Sequence, residues 1–329
     1  MEKLRKVLQY IIQQHNQSKI DPNVKDIKLL GSGGFSVVFD FGEGVFKLTT
    51  EANLQHYKNS FDKINILAEQ GVNCPKTYVV EEYNIDCNKK VFIDKLLLNV
   101  GFEKEFYGTL SRVSQMKEGD FDVLTGIFQE KIEGITYLNH FGQMEEFYDF
   151  IINVPEEQLY KFVLDANKLI KKGVKIDSLN SSNFLYNEDK GFYFIDLDGG
   201  AYSNTNPFDC TLGKIINRHR AINRSVIRKQ NADEFKKSFN VYCKLYDISK
   251  KLYLGNLNDD YLKEKGREFL YGYFYNNYLF WLSSELSNIE DISDEDKKVI
   301  VKKIKSLKSE MDKGLEEMEM TTYYPQIKD

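Results

Sequence analysis

The chain has 329 residues, 42% hydrophobic and 29% charged, a balance that suits a globular protein with one large or two modest cores and argues against disorder. A formal net charge of −5 offers no electrostatic footprint for nucleic acid or an anionic membrane, and the basic stretch from Lys214 to Arg228 reads as a solvated helix face. Four cysteines, Cys74, Cys87, Cys210 and Cys243, lie too far apart for a CxxC metal site and lack disulfide-framework spacing, which points to reduced thiols and a cytoplasmic setting, or a host cytosol for a secreted effector.

Leu4, Val7, Leu8 and Ile11 fall at helical spacing, so residues 1–26 are expected to form an amphipathic helical extension. Its apolar stretch is too short and interrupted for a signal peptide, and no run approaches a membrane span. From Ile27 to Leu48, two β-patterned runs flank a glycine cluster and a third follows a Gly42-Glu43-Gly44 turn, which predicts three antiparallel strands. Gly31, Gly33 and Gly34 carry no Cβ, so the backbone can fold close over phosphate oxygens and aim N–H groups at them. Phe35 would cap the loop tip. Lys47, at the outward end of the third strand, can reach the same phosphates as a point charge.

A strand, not a helix, follows the glycines, and no Gly-Lys-Ser/Thr opens a helix, so dinucleotide-binding and Walker A readings do not apply. The order glycine loop, strand, lysine resembles the N-lobe of protein kinases and of their aminoglycoside-phosphotransferase relatives, with Ser36 where the third glycine would stand. The resemblance implies an ATP site formed by Gly31, Gly33, Gly34, Phe35, Ser36 and Val38, with Lys47 in a catalytic, phosphate-anchoring role.

Leu54, Phe61, Ile64, Leu67 and Ala68 then share one helical face over residues 51–70, stopped by Gly71 with Pro75 following. This is the expected αC helix. Alignment on Ile64 puts Lys63 where the family has the glutamate that pairs with the lysine, leaving Asp62 or Glu51 as partner. Residues 78–125 read as two or three strands with a longer excursion around Asn99 to Gly119. The segment Ile127 to Gly134 resembles the family's hinge, which implies Gln129 as gatekeeper and the backbone of Glu130 and Ile132 as partners of the adenine edge.

Beyond Gly134 the chain turns helical, with Leu159, Phe162, Val163, Ala166, Leu169 and Ile170 on one stripe and Gly173 as the stop. Asn183-Phe-Leu-Tyr and Phe192-Tyr-Phe-Ile-Asp196 then form a hairpin whose Asn and Asp stand thirteen positions apart, as in the family. The resemblance assigns Asn183 and Asp196 to Mg²⁺, with Asp198 as a further carboxylate. Counting back from Asn183 without a gap places Ser178 at the catalytic-base position. Asp177 takes that role if the loop holds one extra residue.

Asp209-Cys-Thr-Leu-Gly looks like the family's αF start, and no Ala-Pro-Glu motif precedes it, so a long phosphorylation-gated loop does not fit. Helices follow: an aromatic-rich stretch from Tyr261 to Leu286 containing Trp281, and a last helix opened by Ser293 with Ile300, Ile304, Leu307 and Met311 on one stripe. The expected fold is α+β and two-lobed, protein-kinase-like over residues 27–215. Its parts are an extension (1–26), an antiparallel-sheet N-lobe with one αC-type helix (27–132), a mostly helical C-lobe (133–315) and a polar tail (316–329). The expected function is ATP- and Mg²⁺-dependent phosphoryl transfer to serine or threonine hydroxyls of a protein substrate. Alternatives are a small-molecule or sugar kinase, a nucleotide-binding pseudokinase and an AMP transferase. No nucleic-acid partner is expected.

Overall fold

The computed structural model describes residues 28–32, 36–40, 42, 44–49, 54–84, 123–135, 144–176, 183–197, 205–217, 232–255, 258–279, 282–283, 286 and 289–317. The chain is α+β and divides into two compact units, Met1–Glu133 and Gly134–Asp329. The expected N-terminal helix, the whole stretch from residue 85 to 122, Trp281 and the end of the tail lie outside the described residues.

The first unit is a five-stranded antiparallel sheet in the order β1-β2-β3-β5-β4, from β1 (Lys28–Ser32), β2 (Ser36–Asp40), β3 (Val45–Thr49), β4 (Thr77–Asn84) and β5 (Val123–Gln129). Side chains of a strand alternate between faces, and Val37, Phe39, Phe46 and Leu48 are buried on one of them. The register sets Phe39 opposite Phe46 and Phe46 opposite Phe128, so three rings form a row across the sheet, with Phe46 and Phe128 centroids 4.6 Å apart. Between β3 and β4 runs helix α1 (Leu54–Glu69), whose buried stripe is Tyr57, Phe61, Ile64 and Leu67. Leu54 and Ala68, expected on that stripe, are only half-buried at its edge.

The second unit is mostly helical. Helices α2 (Met144–Asn153) and α3 (Glu156–Lys171) precede a hairpin of β6 (Phe184–Asn187) and β7 (Gly191–Phe194). A short helix at 212–217, then α4 (Ala232–Gly255), α5 (Asp260–Arg267), a π-helical stretch Glu268–Leu279 and α6 (Asp294–Glu317) complete it. The predicted stripe on α3 is buried except for half-buried Ile170. Lys244 of α4 donates to the carbonyls of Ile152 and Val154 at 2.7 and 2.5 Å, a cation at the C-terminal end of α2 where the helix dipole is negative. Asp259 caps α5 by accepting the Leu262 N–H at 3.0 Å.

Ser293 caps α6 through the Asp296 N–H at 3.1 Å, as its position in the sequence predicts, and Ile300, Ile304, Leu307 and Met311 are all buried. The helix runs to Glu317, past Glu316 where the polar tail was expected to begin. The stretch after α5 was expected as an ordinary helix and is π-helical instead. Among the described residues no helix is long and apolar enough to cross a membrane.

Candidate functional site

Lys47 occupies the middle of β3, not its outward end, opposite Val38 of β2 and Ile127 of β5. Directly opposed residues of antiparallel strands project to the same face, so Val38, half-buried Lys47, Ile127 and, across β4, Val80 form one row. Ser36 faces Thr49 one step along. Gly31 proves to be a strand residue: it pairs with Val38 beside an irregularity between Leu29 and Gly31. Gly33, Gly34 and Phe35 lie outside the described residues.

Gln129 ends β5, and its Nε2 donates to Thr77 Oγ1 at 3.0 Å. The Glu130 N–H donates to the Lys76 carbonyl at 2.8 Å, and the Lys76 N–H donates to Glu130 Oε2 at 3.2 Å. The N–H of Glu130 is thus spent on continuing the β4–β5 ladder. Half-buried Ile132 follows in irregular backbone. Lys131 holds this segment to the β2–β3 turn, with Nζ 3.1 Å from Asp40 and 2.9 Å from Glu133, and hydrogen bonds to Glu133 and then Asp40 push its ammonium pKa up. Asp40 also accepts the Gly42 N–H at 2.7 Å.

The acid expected opposite Lys47 is not supplied by the buried side of α1. Asp62 is exposed, because the stripe of Tyr57, Phe61 and Ile64 turns position 62 outward. Glu51 lies outside the described residues.

In the second unit the hairpin is built from its turn. Asn187 Oδ1 accepts the N–H groups of Asp189 and Lys190 at 3.1 and 3.0 Å, and Gly191 closes the loop at φ +84°, where a side chain would be strained. At the open end the Asn183 carbonyl accepts the Ile195 N–H at 2.9 Å, so Asp196 stands one residue past the last rung. Asn183 is buried and Asp196 half-buried. Helix α3 carries the hairpin: Phe162 stacks on Phe192 at 4.5 Å and meets Phe194 and Phe184 at 5.1 and 5.4 Å. Gln158 accepts from the Tyr186 hydroxyl at 2.8 Å and donates to the Glu188 carbonyl at 2.8 Å. Ile135 is bridged to Tyr186 through both main-chain groups.

The amide oxygen of Asn183 and the carboxylate of Asp196 are hard oxygen donors of the kind Mg²⁺ takes together with phosphate oxygens. Asp177, Ser178 and Asp198 lie outside the described residues. Among the described residues no three His, Cys, Asp or Glu side chains gather as a metal site.

Asp209 belongs to a turn that opens the helix at 212–217. Asn206 organises that turn, accepting the N–H of Phe208 at 3.0 Å and of Asp209 at 3.4 Å while donating to the Lys265 carbonyl at 3.1 Å. Sequence reasoning missed Asn206 and Gln158. Asn206-Pro207 before a helical run is a capping signal that was readable, whereas nothing local marks Gln158. Cysteine chemistry is disfavoured where the thiols are described: burial pushes Cys210 well up and Cys243 up to about 11, so neither is a thiolate at neutral pH.

Comparison with models of known protein families finds no match, and comparison with curated proteins finds none either.

Proposed function

We propose that the chain is a two-lobed, protein-kinase-like phosphotransferase that binds ATP with Mg²⁺ and passes the γ-phosphoryl group to a serine or threonine hydroxyl of a protein. The observation that carries this reading is Lys47 at the central rung of β3, in a sheet of order β1-β2-β3-β5-β4 with α1 inserted between β3 and β4. A lysine so placed, on the strand beside β2, suits the anchoring of phosphates. The Asn183–Asp196 hairpin supports the reading from the second unit, with two oxygen ligands for Mg²⁺ at its open end.

In this reaction the acceptor oxygen bonds to the γ-phosphorus as the bond to the β,γ-bridging oxygen breaks, and ADP leaves with that electron pair. Bound Mg²⁺ supplies charge neutralisation on the phosphates. Lys47 contributes a fixed positive charge, and Asp177 is the residue assigned to take the hydroxyl proton. Gln129, the Glu130 carbonyl and the Ile132 N–H are assigned to the adenine edge, with Val38 against its face.

A second reading, nucleotide binding without transfer, draws on the exposure of Asp62 and on Ser178 at the base position of the ungapped alignment. Thermal denaturation with and without Mg²⁺ and ATP tests the site: stabilisation is expected in the native chain and lost in Asp196→Ala and Lys47→Met. No stabilisation of the native chain sinks both readings. Incubation with γ-labelled or α-labelled ATP then separates them. Label transferred from the γ position supports the kinase, label from the α position means AMP transfer, and stabilisation without either label supports the second reading.

A further inference from the structure

The seam between α1 and β4 carries two apolar side chains on its outer side. Asn65 of α1 bonds both main-chain groups of Thr77, so the residues that follow each, Ile66 and Tyr78, are neighbours across the seam. Ile66 is 52% exposed and Tyr78 51%. Ile66 is the one apolar residue among the exposed positions of α1. Tyr78 is the residue set out of the ladder by the irregularity between Thr77 and Val79, a device that re-aims a side chain. Of the other large apolar side chains described as exposed, Leu30 stands on β1, and Ile135, Leu254 and Val299 belong to the second unit. Such residues scattered singly are ordinary, whereas Ile66 and Tyr78 are held side by side.

The sheet register points to what covers them. Lys28, Asp40, Val45, Gln129 and Thr77 are successive partners in one row across the five strands. The chain ahead of β1 therefore enters the sheet at the end where Tyr78 stands, four strand spacings or about 19 Å away. That chain carries the stripe Leu4, Val7, Leu8 and Ile11. A helix of about a dozen residues keeps its shape in water only by burying such a stripe. Residues 12–27 reach about 50 Å when extended, ample for the span, and the entropy of closing such a loop grows slowly with its length. We infer that residues 1–11 dock as a helix across the α1–β4 seam, with Leu4 and Leu8, one turn apart, against Ile66 and Tyr78. One segment then ties together the two outer strands of the described sheet, β1 through the chain and β4 through contact.

The test uses the full chain. Mild oxidation of Leu8→Cys with Ile66→Cys, read by peptide mass spectrometry, should give a link within one chain, because docking holds the two thiols within disulfide reach. It should form at least about tenfold faster than in Lys6→Cys with Ile66→Cys, off the stripe, or in Leu8→Cys with Val299→Cys, because a docked pair has a high effective concentration. Adding Leu4→Glu should slow the 8–66 link about as much, by taking the stripe off the seam. Urea denaturation gives an independent readout. Truly exposed residues tolerate substitution, so Ile66→Ser with Tyr78→Ser should lower the midpoint only if something covers them. Leu4→Glu with Leu8→Glu should lower it similarly, and the four changes together no further than the larger of the two effects. The proposal is overturned if the 8–66 link forms no faster than the controls, or if it joins two chains, which would make a second copy the occupant. Additive losses in urea, or none from either pair, overturn it equally.

Discussion

Asn65 grips the main chain of Thr77 from both sides: its Nδ2 donates to the Thr77 carbonyl at 2.8 Å and its Oδ1 accepts the Thr77 N–H at 2.7 Å. One side chain thereby fixes α1 to the start of β4, and the Thr77 hydroxyl passes the constraint on to Gln129. Asn65→Ala strips both backbone groups of their partner and should cost roughly 2 kcal/mol of stability. Asn65→Asp keeps the acceptor and loses the donor, so roughly half that loss is expected. Urea denaturation midpoints at neutral pH check the ranking, and an alanine variant as stable as the native chain would show the grip to be incidental.

Gly126 sits where no side chain fits. A Cβ there would stand 2.4 Å from the Tyr83 ring and 2.7 Å from the Phe46 ring. Phe46 is fully buried and cannot retreat, so Gly126→Ala should destabilise by about 1–3 kcal/mol through overpacking. Adding Tyr83→Leu opens space beside the new methyl. The double variant should therefore lose less than the sum of the single losses, a coupling that a double-mutant cycle in urea would measure.

What the sequence made legible was local and periodic. Alternation marked β2 and β3, the stripe Ile300, Ile304, Leu307 and Met311 marked α6, and Ser293 marked its start, because each signal is contained within one element. Lys47 and the Asn183–Asp196 pair gained meaning only from the order of the elements around them. Asp62 shows two signals at odds: alignment points to it beside Lys63, whereas the helical stripe through Phe61 and Ile64 turns position 62 to solvent. Gln158 was out of reach, since its partners Tyr186 and Glu188 lie 28 and 30 residues away and nothing local announces them. Nor does sequence announce the π-helical stretch, whose burial against α6 depends on how Gly314 admits the Tyr271 ring.

Asp259 joins α3 to α5, with Lys171 Nζ 2.6 Å from Oδ1 and Asn167 Nδ2 donating to Oδ2 at 2.8 Å. Burial pushes its carboxyl pKa up, but the bonds from Lys171, the Leu262 N–H and Asn167 together outweigh it, and the net shift is downward. A carboxyl whose pKa is lower folded than unfolded contributes stability that is complete above the unfolded value and vanishes as pH falls through the folded one. Asp259→Asn keeps a capping oxygen but not the charge. The native chain should therefore be the more stable at pH 7 and pH 5, with the gap closing below the ordinary aspartate range. Urea midpoints at pH 7, 5 and 3 test this, and a gap that widens on acidification would contradict it.

The two ends of the β6–β7 hairpin should respond differently to loss of their supports on α3. Gln158 acts at the turn, through Tyr186 and the Glu188 carbonyl, whereas Phe162 packs on Phe184 and Phe194, the rung next to Asn183 and Ile195. Gln158→Leu gives up two hydrogen bonds and should cost about 1–2 kcal/mol. Phe162→Leu leaves a smaller residue among three rings, with a loss about as large, while Phe162→Ala should cost about 3–5 kcal/mol. Similar losses in the two leucine variants make their ligand response informative. If Asn183 and Asp196 hold Mg²⁺ on ATP, Phe162→Leu should weaken the apparent affinity for Mg²⁺ and ATP, read by titrated thermal shift, because it frees the open end to move. Gln158→Leu should leave that affinity near native, because the turn lies at the far end of the ladder. Equal weakening in both would mean that the hairpin responds to stability alone, and would remove the open end as the place where ligand is held.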